Sequence, residues 1–293
     1  MDVVRISDGL GNQMFQYAFA RKISLMTGHS VYLDTRFINN EDMAAKESNP
    51  YFKKKLAHRE YGLAHFHIRL PAADEKVLFP WKYIHQTGNV WQAVQGLASH
   101  DMWLWRYKRE NDNFDGRLSG HGMLLPTYYQ GYFFDLAYYD DIKSVLRREF
   151  SLKDKVRLSR ELRAIIDKKN TVSVHIRRGD FLKLNRDMSE TGYYQKAISA
   201  AESRIANPFY LIFSDDIGWV KENLDIHGDK AYISDMGFKD YEELTVMKHC
   251  RHNIIANSTF SYWAAYLNPN EDKVVICPRR WRSEIIPRQW LKV

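Results

Sequence analysis

Cysteine is nearly missing from this chain, with two in 293 residues, and that shortage excludes a disulfide-stapled scaffold. Cys250 and Cys277 both lie in apolar surroundings and read as buried, reduced thiols. No CxxC pair or Cys/His cluster has the ligand spacing of a zinc site. Long apolar runs are lacking as well, since none approaches the ~18–20 residues that a membrane span requires. The chain opens on Asp2-Val-Val-Arg-Ile rather than on the apolar core of a signal peptide, so no export leader is expected. Internal repeats and low-complexity segments are absent. What is present is an ordinary globular composition, 45% hydrophobic and 27% charged. Lys and Arg outnumber Asp and Glu by 43 to 36, a net charge of +7. That excess suits an anionic small molecule, an anionic membrane surface or nucleic acid without choosing among them. An aromatic share of 14% suits sugars and bases, but also large cores.

Residues 3–7 read as a strand, 14–27 as a helix with Phe15, Phe19, Ile23 and Met26 at helical spacing, and 31–34 as a second strand. Between the first two, Asp8-Gly-Leu-Gly-Asn-Gln13 reads as a glycine-bearing loop, and Gly28 stands where a helix C-cap belongs. This is a βαβ unit, but the third glycine of a dinucleotide fingerprint is missing. Asn12 and Gln13 are instead compact amides aimed at the mouth of the fold, or caps of the following helix. From 39 to 150 the pattern blurs into a mixed, mostly helical region. Phe52-Lys-Lys-Lys-Leu56 and Arg106-Tyr-Lys-Arg-Glu110 are basic stretches interleaved with aromatics. They suit phosphates or a membrane surface, or else a solvated helix face. Trp81, Trp91, Trp103 and Trp105 suit sugar stacking or a core. A short strand or strand end at 131–135 and a helix over 140–152 lead to a domain boundary near 150, dividing 1–150 from 151–293.

Beyond it the pattern is regular. Helices are expected over 155–168, 193–205, 219–224, 240–250 and 257–267, and strands over 171–175, 209–213, 231–235, 253–256 and 273–277. Strict alternation implies an α/β fold with a parallel sheet covered on both faces, and ligands bind such sheets at the carboxyl ends of the strands. Three of these ends carry unusual polar residues: His175-Ile-Arg-Arg-Gly-Asp180, Ser214-Asp-Asp216 and Asn257-Ser-Thr-Phe-Ser261. Arginine forks suit a diphosphate, although a structural Arg–Asp pair is the alternative. Ser258 at a helix start is a ready anion site or simply an N-cap. Asp215 and Asp216 could hold a metal or a ribose, or end a strand.

Together with Gly9-Leu-Gly-Asn-Gln-Met-Phe-Gln-Tyr-Ala18, Phe213-Ser-Asp-Asp216 with Trp219, and the stretch from Ile254 to Leu267, these motifs resemble the bacterial α-1,2-fucosyltransferase family over nearly the whole chain. The resemblance implies a GT-B enzyme, two Rossmann-like domains whose parallel sheets face a central cleft. The first domain would take the acceptor and the second the donor, GDP-L-fucose. It implies transfer with inversion to a galactose-terminated oligosaccharide, without metal or other cofactor and without a nucleic-acid partner. By this resemblance Arg177 binds the β-phosphate, His175 lies near the guanine, and Ser258, Thr259 and Phe260 form the phosphate-holding helix start. Glu243 sits where relatives carry an acid that can hold the nucleoside. Arg178, Asp180 and Asn257 are grouped with them as donor-binding. Gly11, Asn12 and Gln13 are expected to line the cleft, with Asn12 counted beside Arg177 as catalytic. Tyr262 and Tyr266 fall where tryptophans are common in the family.

No general base is named by the sequence; the loop acids Asp8, Asp34 and Asp115 are the candidates. The location expected is cytoplasmic, where GDP-sugars are made. The two basic stretches would give weak, salt-sensitive contact with an anionic inner membrane.

Overall fold

The valines that open the chain form the centre of a sheet. In the computed structural model, which describes residues 1–39, 60–81, 106–110 and 126–293, they lie in β1 (Asp2–Arg5). The first sheet has the order β2-β1-β4-β3 and is parallel throughout, with β2 at Val31–Asp34, β3 at Arg106–Arg109 and β4 at Thr127–Gln130. Parallel neighbours need a crossover, and α1 (Leu10–Thr27) supplies it between β1 and β2. Gly28 closes α1 in the left-handed region (φ 68), its N–H bonded to the Ser24 carbonyl.

Two readings of this half are corrected. Gly11, Asn12 and Gln13 are not loop residues. Helix α1 begins at Leu10, because the extended Gly9 carbonyl accepts the N–H groups of Asn12 (2.9 Å) and Gln13 (3.1 Å). The stretch at 106–110 is not a helix face but the edge strand β3, paired with β4. Its companion at 52–56 lies outside the described residues, as do Trp91, Trp103, Trp105 and Asp115. Trp81 is buried against Tyr128 (ring centroids 5.9 Å apart), which is core packing. Much of the remaining core is aromatic: Phe19 stacks on Phe133 at 3.7 Å and meets Tyr129 and Tyr138 edge-on. At the base of α1 the buried Glu149 carboxylate accepts from the Tyr17 hydroxyl and from Arg21 Nε (2.9 Å).

The second sheet has the order β10-β9-β8-β5-β6-β7, again all parallel. Its strands are β5 (Asn170–Ile176), β6 (Pro208–Ser214), β7 (Lys230–Tyr232), β8 (His252–Ile254), β9 (Val275–Cys277) and β10 (Leu291–Lys292). Apart from single turns at Arg36–Asn39 and Glu75–Leu78, the helices after α1 among the described residues are α2 (Lys143–Glu149), α3 (Arg160–Lys168), α4 (Gly179–Lys183), α5 (Tyr193–Glu202), α6 (Ile217–Asn223), α7 (Asp240–His249) and α8 (Thr259–Leu267). The helix expected from 155 begins only at Arg160, where the Ser159 hydroxyl caps it by accepting from Leu162 N–H (3.1 Å). Central β5 is buried along six of its seven residues. Val172, Val174 and Ile176 enter the apolar cluster with Tyr194, Ala197, Ile212 and Val220. The alternate face carries Thr171, Ser173 and His175, and Ser173 Oγ accepts from Asn253 Nδ2 (2.7 Å).

The chain divides into two compact units, 1–64 with 68–149, and 65–67 with 150–293. The three residues 65–67 fall in the second unit, outside a simple division near 150. Phe66 bridges antiparallel to Leu152 and packs edge-on to Phe150, while His67 N–H bonds the Ser151 carbonyl.

Candidate active site

Three carboxyl ends of the second sheet, those of β5, β6 and β8, lie side by side, because β6 and β8 flank β5 on either side. Side-chain alternation continues one step past β5 and sends the tandem arginines to opposite faces. Arg177 stays half-buried at the rim. Its guanidinium is held by Asp180 (2.7 Å) and by Asp215 (3.0 Å). Arg178 is turned inward and is 5% exposed. It lies flat over the Trp219 ring (3.4 Å), donates to Asp216 and Asp187 (3.2 Å each), and bonds the Ser189 hydroxyl.

The two arginines differ in access rather than in pairing, since each is held by two carboxylates. Arg178 is enclosed and covered on one face by an indole, whereas Arg177 stays at the rim. Asp180 orients Arg177 through its carboxylate. Asp215 is spent the same way: one oxygen takes Arg177, the other the backbone N–H of Arg178 (2.8 Å). Asp216 caps α6 through Trp219 N–H (3.4 Å). A Cβ at position 179 would collide with Asp215 Oδ2, so any larger residue there would displace that carboxylate from Arg177. No cluster of three or more metal-ligating side chains occurs among the described residues.

His175 is buried, its Nδ1 has no hydrogen-bond partner among the described residues, and its ring lies 5.5 Å from that of Phe260. Burial, reinforced by Arg177, pushes its pKa down to about 3, so it is a neutral imidazole at any working pH. Phe260 belongs to the first turn of α8, whose N-cap is Ser258; the Ser258 hydroxyl accepts from Phe260 N–H (3.4 Å). Thr259 opens the helix, and Asn257 is tied by its amide to the Arg186 carbonyl (2.9 Å). Tyr262 and Tyr266 are fully buried and stacked at 5.5 Å, so they build the helix's core face. Glu243 on α7 is half-buried beside Ser234. Burial, with Asp240 and Asp215 nearby, pushes its carboxyl up to about 7.

The second unit therefore brings together Arg177, His175, Glu243 and the α8 start: one permanent cation, one helix N-terminus, a neutral imidazole beside a phenyl ring, and a carboxyl that titrates near neutrality. That is a set of groups for a diphosphate joined to a flat, hydrogen-bonding base. In the first unit Asn12 is half-buried in the first turn of α1, while Gln13 is fully buried and does not line a cleft. Gln13 Nε2 donates to the carbonyls of Asp8 (2.7 Å) and Glu60 (2.8 Å). Asp34 is removed from the candidate bases: it is fully buried, clasped by both arms of Arg36 (2.9 Å each) and by the Tyr128 hydroxyl (2.8 Å). Asp8 remains half-buried and holds the Tyr132 hydroxyl. Tyr132 was not legible as a site residue, since the stretch 131–135 reads only as a strand end.

The chain is similar to several known proteins. Over 98% of its length the chain is 29% identical to the O-antigen biosynthesis glycosyltransferase WbnK of Escherichia coli, covering 99% of that protein. It is 28% identical to an α-1,2-colitosyltransferase of E. coli, covering 99% of this chain and 98% of the other. The galactoside α-(1,2)-fucosyltransferase 1 of Rattus norvegicus matches at 29% over 88% of this chain and 61% of its own length. Among solved structures, the NodZ α-1,6-fucosyltransferase of Bradyrhizobium co-crystallised with GDP superposes with a TM-score of 0.50 at 14% identity, covering 92% of each chain. The fold is thus the GT-B fold of fucosyltransferases. Residues 2–288 match the family described as Glycosyl transferase family 11, and the chain belongs to that family of glycosyltransferases.

Proposed function

We propose that the protein transfers L-fucose from GDP-β-L-fucose to the 2-hydroxyl of a terminal galactoside, inverting the anomeric carbon to give an α-1,2 linkage. The acceptor oxygen bonds to the anomeric carbon on the face opposite the diphosphate. The bond from that carbon to the β-phosphate oxygen breaks, GDP leaves with the electron pair, and the acceptor proton passes to a base. The observation that carries the reading is Arg177, held by Asp180 and Asp215 at the rim of β5. A permanently charged fork there neutralises the charge that builds on the departing diphosphate, an effect worth about 2.7–4 kcal/mol per group. The α8 start at Ser258 adds its dipole, His175 and Phe260 flank the base, and Glu243 accepts its N–H groups.

No divalent cation is assigned a part, since Asp215 and Asp216 are occupied by arginines and a helix cap. GDP-sugars place the reaction on the cytoplasmic side, and no helix among the described residues is long and apolar enough to cross a membrane. The purified protein, given GDP-fucose and lactose, should release GDP and yield a 2-fucosylated product whose linkage is read by NMR. Exhaustive EDTA treatment should leave the rate unchanged. GDP-fucose left intact with every galactoside tried would refute the reading, and rescue by Mg²⁺ after EDTA would return the Asp pair to metal binding. The similarity to a colitosyltransferase supports one alternative donor, GDP-colitose, to be run in the same assay.

A further inference from the structure

At the carboxyl edge of the first sheet, two residues with side chains adopt left-handed backbone on loops from neighbouring strands. Asp8 (φ 65) follows β1 and Phe133 (φ 58) follows β4. Such conformations persist only where the surroundings over-determine them. For Phe133 the reason is packing, because its ring is buried in full stack on Phe19. Asp8 is held by hydrogen bonds instead: its carbonyl accepts from Gln13 Nε2 (2.7 Å) and its carboxylate from the Tyr132 hydroxyl. Its side chain stays half-buried at the rim, and it does not cap α1, whose N-cap is Gly9 with no side-chain bond.

The surroundings of Asp8 are built with care. Gln16 staples the two loops, accepting from Ser7 N–H (2.9 Å) and donating to Ser7 Oγ (3.1 Å) and the Gly131 carbonyl (3.2 Å). Glu110 accepts from Tyr132 N–H (2.7 Å) and closes the space where a Cβ at Gly131 would sit. The Tyr132 hydroxyl then donates to the Asp8 carboxylate. Behind the backbone of Asp8, Gln13 Oε1 is buried with no hydrogen-bond partner among the described residues. An unsatisfied acceptor of this kind marks a place where a water or ligand belongs. Beside it the half-buried rings of Tyr132 and Phe134 lie stacked (5.2 Å, 4°), braced by Phe15 edge-on to Phe134 at 4.9 Å.

A carboxylate next to a fixed aromatic face is the chemistry that recognises a neutral sugar. The carboxylate has about four acceptor positions and takes hydroxyl protons, while the ring covers a C–H face. We propose that Asp8, oriented by Tyr132, holds the acceptor sugar by a hydroxyl, with the Tyr132–Phe134 pair as its apolar floor. This rests on the transferase reading above and adds the residues that choose the acceptor.

The test uses the whole chain, GDP and lactose. Asp8→Gly suits the left-handed backbone, so it should melt no lower than wild type. It should bind GDP unchanged by calorimetry, yet raise the lactose KM about 10–100-fold, the worth of a hydrogen bond to a charged group, with kcat little altered. Tyr132→Phe should raise the same KM by a smaller factor. Saturation-transfer NMR on the GDP-loaded protein should show lactose contact in wild type and its loss in Asp8→Gly. Equal lactose contact in both proteins, or none in wild type, overturns the assignment. So does a large kcat loss at unchanged KM, which would make Asp8 a proton acceptor instead. Failure of the wild type to bind GDP or to consume GDP-fucose is a separate result and refutes the transferase reading.

Discussion

Replacing Glu243 by glutamine should raise stability and lower donor affinity at the same time, each only above a defined pH. The carboxyl is held by α7 where burial is the main influence, and its pKa rises from the ordinary 4.5 to about 7. Between those values the folded protein keeps a proton that the unfolded chain has released. Stability therefore falls as pH rises from about 4.5 to about 7, and the loss is complete and constant above. The gap corresponds to at most about 3 kcal/mol, which partial exposure of the side chain reduces to about 1–2 kcal/mol. Glutamine keeps the shape and carries no charge. At pH 8 Glu243→Gln should melt about 2–5 °C above wild type, and at pH 4.5 the two should coincide. GDP should behave oppositely. A carboxylate accepts the base's N–H donors better than a carboxylic acid, and ionisation of the terminal phosphate of GDP at about pH 6 acts on both proteins alike, so the ratio of wild-type to variant affinity should climb through pH 7. Scanning calorimetry and titration calorimetry from pH 4.5 to 8.5 measure both. Identical melting at pH 8, or a wild-type to variant affinity ratio that stays flat across the range, would refute the placement of Glu243.

Arg177→Ala should weaken GDP binding about 10²–10³-fold, and Arg177→Lys should recover little, because one ammonium cannot serve Asp180, Asp215 and a phosphate together; near-normal GDP affinity by calorimetry would contradict this. Gly179→Ala should push Asp215 off both arginine contacts, costing about tenfold or more in GDP affinity together with a lower melting temperature. Glu149→Leu should cost about 3–5 kcal/mol in urea unfolding by leaving Arg21 and the Tyr17 hydroxyl without their shared partner. A change below about 1 kcal/mol would mean that water replaces the carboxylate.

The second unit was legible because its signals are local. The strand at 171–175 alternates cleanly, and Ser258 announces a helix start by type. Asp216 reads in sequence as a ligand or a strand end, and its part as the cap of α6 emerges only from the structure. Even the opposite directions of Arg177 and Arg178 follow from strand geometry. What sequence could not assign was the partner of each charge: that Asp180 serves Arg177, and that Asp187 and Ser189 close around Arg178, depends on loops folding back. The first unit was harder for the same reason. Gly9 and Gly11 argue for a loop, yet α1 starts at Leu10 because the Gly9 carbonyl takes two amides. In β3, four polar or aromatic residues gave no strand period, and pairing with β4 decides their structure. Residues 65–67 join the second unit through backbone pairing with 151–153, which no side-chain pattern encodes.

The carboxylates around Arg177 also bear on how the site turns over. A side chain as long as arginine loses about 2 kcal/mol of rotamer freedom when it is immobilised. Asp180 and Asp215 impose that order without any ligand, so on the proposed donor placement a phosphate would meet a fork already aimed. The same two carboxylates limit how tightly the diphosphate is held, since each is a negative charge close to where GDP would sit. Product GDP carries more charge on its terminal phosphate than the sugar-linked donor does, so this repulsion acts more strongly on product than on substrate. Preorientation and release thus come from one arrangement. Neutralising Asp180 would remove both, trading a looser arginine for a more tightly retained product.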